Sequence, residues 1–168
     1  MSRPIIAAEI QYIDSTSSPQ LITSYLASEA FVTDTGDTLA NTYFAGRLDG
    51  DVTYSLKVTT AFWGGTPAVG IGSIEIINDD GGLDGWLDYQ FRDQTITIKQ
   101  HTSGAAYDNA TTLLTAIVER LEVVSEKRLR LVIRDPAAEL LKPMQTVSYD
   151  DTTDAEGVLK PICFGDPR

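Results

Sequence analysis

Asn78, Asp79, Asp80, Asp84 and Asp88 gather oxygen-bearing side chains into one short stretch of the chain. Calcium takes about six to eight oxygens, and loops spaced D-x-D-x-D-G supply them. Asp79 and Asp80 are adjacent instead, so their side chains diverge, and the stretch reads more simply as a turn followed by a helix cap. Paired carboxylates could also act as acid and base on a glycosidic bond. With 24 acids in 168 residues, chance pairs are certain and carry little weight. Cys163 and His101 are the single cysteine and histidine, which excludes an intrachain disulfide and a Cys-rich zinc site. Cys163 sits in an apolar run and reads as a small buried hydrophobe. His101 precedes Thr-Ser-Gly and reads as a solvated loop residue. The sequence contains no G-x-S-x-G elbow, H-E-x-x-H helix or phosphate-cradling glycine loop. Phe62 and Trp63 lie in the Gly-rich stretch AFWGGTPAVG. They suit a sugar-stacking platform, an anchor at a protein interface, or a loop folded over the core.

Charge narrows the partners. A net charge of −11 and a pI near 4.3 oppose a nucleic-acid grip and repel an anionic membrane surface. The excess is uneven: residues 1–100 carry 5 basic and 13 acidic groups, and residues 101–168 carry 8 and 11. Apolar runs are too short for a membrane-spanning helix, so no membrane insertion is expected. The start, MSRPIIAAEIQ, has no apolar stretch of signal-peptide length.

The elements that must position these residues are mostly strands. Thr, Val, Ile and Tyr recur in short runs broken by Gly, Asp, Asn, Ser and Pro. Strands are expected at Ile5–Ile13, Leu21–Ser28, Tyr43–Leu48, Asp51–Thr60, Ile71–Ile77, Thr95–Gln100, Leu113–Val124 and Leu129–Arg134. Shorter extended pieces are expected at Thr146–Tyr149 and Val158–Phe164. The last two long strands predict a hairpin through a three-residue loop, pairing Leu121 with Leu131, Val123 with Leu129, and Glu122 with Arg130 on the wet face. In this reading Ile117, Glu119, Leu121 and Val123 share one face. Asp135 and Pro136 open a two-turn helix that Pro143 ends. After Ile77, a polar turn over Asn78–Gly82 leads into one helical turn carrying Leu83, Trp86 and Leu87, with Asp84 as cap and Gly81 and Gly82 at positive φ. Residues 1–149 are read as one β-rich domain. Residues 150–168 are read as an acidic loop and an extended segment that could begin a further domain.

Three segments together resemble a known family. They are GIGSIEIINDDGGLDGWLDYQFRDQTITIKQ (Gly70–Gln100), RLRLVIRDPAAELLKPMQ (Arg128–Gln145) and LKPICFGDPR (Leu159–Arg168). Their order and spacing resemble the N-terminal region of tail-tip proteins of long-tailed bacteriophages, of the baseplate-hub or distal-tail type. The first 69 residues match nothing in that pattern. The resemblance implies a small β-barrel, split barrel or sandwich with one or two short helices. It implies a structural protein of the virion tail tip, assembled in the bacterial host cytoplasm, that is not an enzyme and needs no cofactor or metal. Its partners would be copies of itself in a cyclic ring and other tail proteins (tube, tape measure, fibre), with DNA passing through unbound. An acidic lining would let DNA slide. On this reading Asp79, Asp80 and Asp84 face the channel, and Phe62 and Trp63 anchor an interface. The rival readings are a carbohydrate-binding β-sandwich, with or without calcium, and, further behind, an acid–base hydrolase.

Overall fold

A computed structural model of the chain describes residues 4–14, 19–55 and 71–136. These residues belong to one compact unit, Met1–Pro136. The strands are β1 (Pro4–Asp14), β2 (Gln20–Ala27), β3 (Phe31–Val32), β4 (Tyr43–Gly46), β5 (Leu48–Ser55), β6 (Ile71–Ile77), β7 (Thr95–Thr102), β8 (Thr111–Ser125) and β9 (Arg128–Arg134). Two short 3-10 turns, η1 (Asp84–Asp88) and η2 (Tyr107–Asn109), interrupt them. The chain is mainly β, as its β-branched runs predict. The Phe62–Trp63 loop, the helix read beyond Pro136, Cys163, the two C-terminal extended pieces and the boundary at residue 149 lie outside the described residues.

All nine strands join one sheet in the order β3-β4-β2-β1-β7-β8-β9-β6-β5. Every pairing is antiparallel except β2 with β4. Among the described residues the ladder does not close, so the sheet is open rather than the closed form of the expected barrel. Its ends are nevertheless tied. Only Arg47 separates β4, near one end of the order, from β5 at the other, so Gly46 and Leu48 lie within about 7 Å. The sheet must coil until those ends approach. Gly46 permits the crossing, because a Cβ there would stand 2.9 Å from the Ala30 nitrogen. The coiled face encloses the main core, in which Ile10, Ile76, Ile96, Ile98, Leu131 and Ile133 are fully buried. Trp86 and Phe91, from η1 and the segment after it, pack on Tyr12 at 5.7 and 5.0 Å between ring centroids. A second cluster, Ile5, Ala7, Ala27, Phe44 and Tyr107, fills the opposite side of β1.

The β8–β9 register is the expected one: Leu121 opposite Leu131, Val123 opposite Leu129, Glu122 opposite Arg130. Two details differ. A bulge between Val118 and Arg120 shifts the alternation, so Ala116, Val118 and Leu121 all reach the core; Val123, two residues on toward the hairpin turn, is 58% exposed. A second bulge between Val123 and Ser125 leaves a two-residue turn, Glu126 and Lys127, in place of the three-residue loop. Glu122 and Arg130 are ladder partners, but their ion pairs go elsewhere: Arg130 donates to Glu75 on β6 at 2.7 Å, and Glu122 accepts from Arg120 at 2.7 Å. Strand β9 lies between β8 and β6, so Arg130 has an acid on either side.

Candidate functional site

Asp79, Asp80 and Asp84 are brought together in one exposed turn that runs from the end of β6 into the first residue of η1. Its organiser is Asn78, 3% exposed at the end of β6. The Asn78 side-chain oxygen accepts from the Leu83 N–H at 2.8 Å, and its amide donates to Asp84 Oδ1 at 2.7 Å. Its own N–H donates to the Lys127 carbonyl, which holds the turn against the β8–β9 hairpin. Gly81 takes φ +69°, as predicted; the positive φ expected at Gly82 is not among those found. Asp84 does not cap η1. Leu83 occupies that position without a side-chain bond, and Asn78 does the bonding that a cap would do. Trp86 is buried and Leu87 is 55% exposed.

Asp80 is gripped from the strand crossing. Arg47 Nη1 and Nη2 donate to its two oxygens at 2.7 and 2.5 Å, a bidentate fork, and the Gly82 N–H adds a third bond at 2.9 Å. The Arg47 bonds, then the Gly82 N–H, hold the Asp80 carboxyl far below the usual carboxylate range. The same pairing raises Arg47. Because the Ile77 N–H donates to the Arg47 carbonyl at 2.8 Å, backbone and side chain both tie the acidic turn to the β4–β5 crossing. The three acids therefore differ in kind. Asp80 is neutralised by Arg47, Asp84 is bonded to Asn78, and Asp79 is exposed. Among the described residues, no group of three or more His, Cys, Asp or Glu is set to hold a metal ion, and no helix is long and apolar enough to cross a membrane.

A second polar cluster escaped the sequence reading. Glu9 Oε1 on β1 accepts from Lys99 Nζ on β7 and from the Tyr107 hydroxyl, both at 2.7 Å. Lys99 also stands over the Tyr107 ring, 5.1 Å from its centroid. Burial and then the Glu9 bond push the Tyr107 hydroxyl far up, so it stays protonated. Nearby, the Asp37 carboxylate accepts from the N–H groups of Asp34, Tyr107 and Asp108. Burial opposes its charge, but those N–H bonds outweigh it and lower its pKa. These partners lie far apart in the chain, so no local spacing announces them.

His101 corrects its reading as a solvated loop residue. It lies within β7, opposite Ile5 of β1, and is 4% exposed. Strand β1 begins at Pro4, and pairing its first residues extends β7 past the expected end at Gln100 to Thr102.

No family model matches the chain, and no curated protein matches it. Among solved structures, a chain of the Francisella PdpA-VgrG complex, lidded, is similar at a TM-score of 0.40 and 12% identity. The likeness covers 87% of this chain and 18% of that one. At that similarity it assigns the chain to no family.

Proposed function

We propose that the chain is a structural, non-enzymatic component of a bacteriophage tail tip, forming part of a ring around the DNA exit channel. The observation that supports this reading most is the pairing of β6 with β9. These strands open the first two segments that resemble tail-tip proteins, and they run in register from Ile71 opposite Arg134 to Ile77 opposite Arg128. The opening strands of those two segments are thus neighbours in one sheet, with the Asn78–Gly82 turn following β6. Acidity over the whole chain, net −11, suits a channel wall that DNA must pass without sticking. The partners on this reading are copies of the chain in a closed ring and neighbouring tail proteins. Its location would be the virion, after assembly in the host cytoplasm. Phe62 and Trp63 remain the proposed interface anchor, and Asp79 and its neighbours the proposed channel-side charge.

Mass in solution and immunolabelling of virions test the reading. A cyclic oligomer, or label at the tail tip, is the expected result. A monomer that is absent from virions and binds glycans tightly would overturn it in favour of a carbohydrate-binding module.

A further inference from the structure

His101 is the single histidine of the chain and is packed inside the fold, 4% exposed. Its ring lies nearly parallel to Phe31 of β3, with centroids 4.7 Å apart and planes at 20°. Phe31 in turn stacks on the fully buried Phe44 of β4 at 4.6 Å and 9°. Imidazole Nδ1 is buried without a hydrogen-bond partner. The neutral ring tolerates this, since Nδ1 then need carry no proton. The imidazolium carries a proton on both nitrogens, so its Nδ1–H would be buried without an acceptor.

The groups around it offer little relief in this arrangement. From the segment after β3 come Asp34 and Asp37, and the Asp37 carboxylate already accepts three backbone N–H groups. From η2 comes Tyr107, whose hydroxyl is bonded to Glu9. From β1 the ladder neighbour is Ile5. Two residues along β7, Lys99 is paired with Glu9. A cavity of about 100 Å³ beside the ring, lined in part by Phe31, Asp34, His101 and Tyr107, leaves room for the imidazole to turn.

We propose that His101 is a proton-operated latch on the β3–β4 edge: protonation breaks the Phe31 stack and opens residues 31–42 while β1, β2 and β6–β9 stay folded. The edge has few ladder bonds, and outside the ladder it is tied to η2 through Asp37 and Thr38. Strand β3 contributes two ladder residues, Phe31 and Val32, and β4 joins β2 through two more, Leu26 with Ala45 and Ala27 with Gly46. Burial pushes the imidazole pKa down; Asp37 and then Asp34 pull it up, and burial wins. The closed edge therefore prefers the neutral ring. Its advantage is complete above the open-state pKa and is lost as pH falls below it.

Hydrogen exchange of the full chain, corrected for intrinsic rates, tests the latch at pH 7.5 and pH 5. Protection of amides in residues 31–42 should fall by about 10–30-fold at pH 5, given an open-state histidine pKa near 6.5. Protection in β7–β9 should hold, and His101→Phe should remove the difference. Unchanged protection in wild type, an equal loss throughout the sheet, or the same loss in the Phe variant would overturn the proposal. Should that variant misfold, NMR titration of the lone imidazole decides. Titration well below 6.5, coupled to exchange broadening of residues 31–42, supports the latch; titration without broadening overturns it.

Discussion

Arg47, at the crossing between β4 and β5, holds both carboxylate oxygens of Asp80 at 2.7 and 2.5 Å across 33 residues of sequence. This couples an acidic turn to the place where the sheet's ends are tied. Asp80→Asn should therefore lower the thermal midpoint, and Arg47→Met should lower it similarly. The pH dependence follows from the depressed Asp80 pKa. The stabilisation is present above the unfolded carboxylate value of about 3.9 and is lost as pH falls below it. Thermal melts of wild type and Asp80→Asn should converge in acid, and equal gaps at pH 3 and pH 7 would contradict the assignment.

Asn78→Ala should destabilise the chain by about 1–3 kcal/mol, because the Leu83 N–H loses its acceptor in a buried setting. Urea unfolding measures the loss. Asn78→Asp keeps an acceptor for Leu83 but sets a carboxylate against Asp84, so it should fall between wild type and Asn78→Ala.

The ladder partner of Arg130 on β8 is Glu122, but its ion pair is with Glu75. Double-mutant cycles should give a resolvable coupling for Glu75 with Arg130 and a smaller one for Glu122 with Arg130. Raised salt should shrink the first, since both groups are partly solvated.

Within the hairpin, Leu131→Ala should cost about 2–5 kcal/mol, because Leu131 is fully buried. Val123→Ala, at a 58% exposed site, should stay within about 0.5 kcal/mol. Chemical denaturation of the two variants measures both, and a large cost at Val123 would contradict its exposed placement.

For the proposed channel, Asp79→Lys is a cleaner probe than replacing all three acids, because Lys at 80 breaks the Arg47 fork and Lys at 84 disturbs Asn78. On the tail-tip reading, Asp79→Lys should slow DNA release, with ring assembly unchanged by electron microscopy of particles. Normal infectivity would remove Asp79 from the channel wall.

Strands with clean alternation and clear turn residues were legible in the sequence. The β8–β9 register was too, because apolar and charged pairs agreed on one alignment. What local patterning could not carry was which strand lies on the far side of each one. That is why Glu75 was missed as the partner of Arg130, and Arg47 as the partner of Asp80. It is also why His101 looked solvated: its burial comes from β1 and from Phe31, about 70 to 96 residues away in sequence. The two-residue β3 is too short to leave a pattern. Asn78 does carry a signal, as an Asn ahead of a Gly-rich turn, but the neighbouring aspartates point equally well to a cap at Asp84.

The one-residue link at Arg47 also governs how the sheet can come apart. Strands β1–β4 precede it and β5–β9 follow it, yet β1 pairs with β7, so each part completes the other's ladder. Neither can detach as a unit without tearing the β1–β7 seam, so residues 4–136 should melt in one cooperative step from pH 7 upward, apart from the edge opening. The same arrangement should slow folding, because the seam joins residues about 90 apart. Inserting a flexible glycine run beside Arg47 would lengthen the strap without deleting a contact. Such a chain should fold to the same ladder and still melt in one step, because the β1–β7 seam is intact; a split transition would show that the strap, not the seam, couples the two parts.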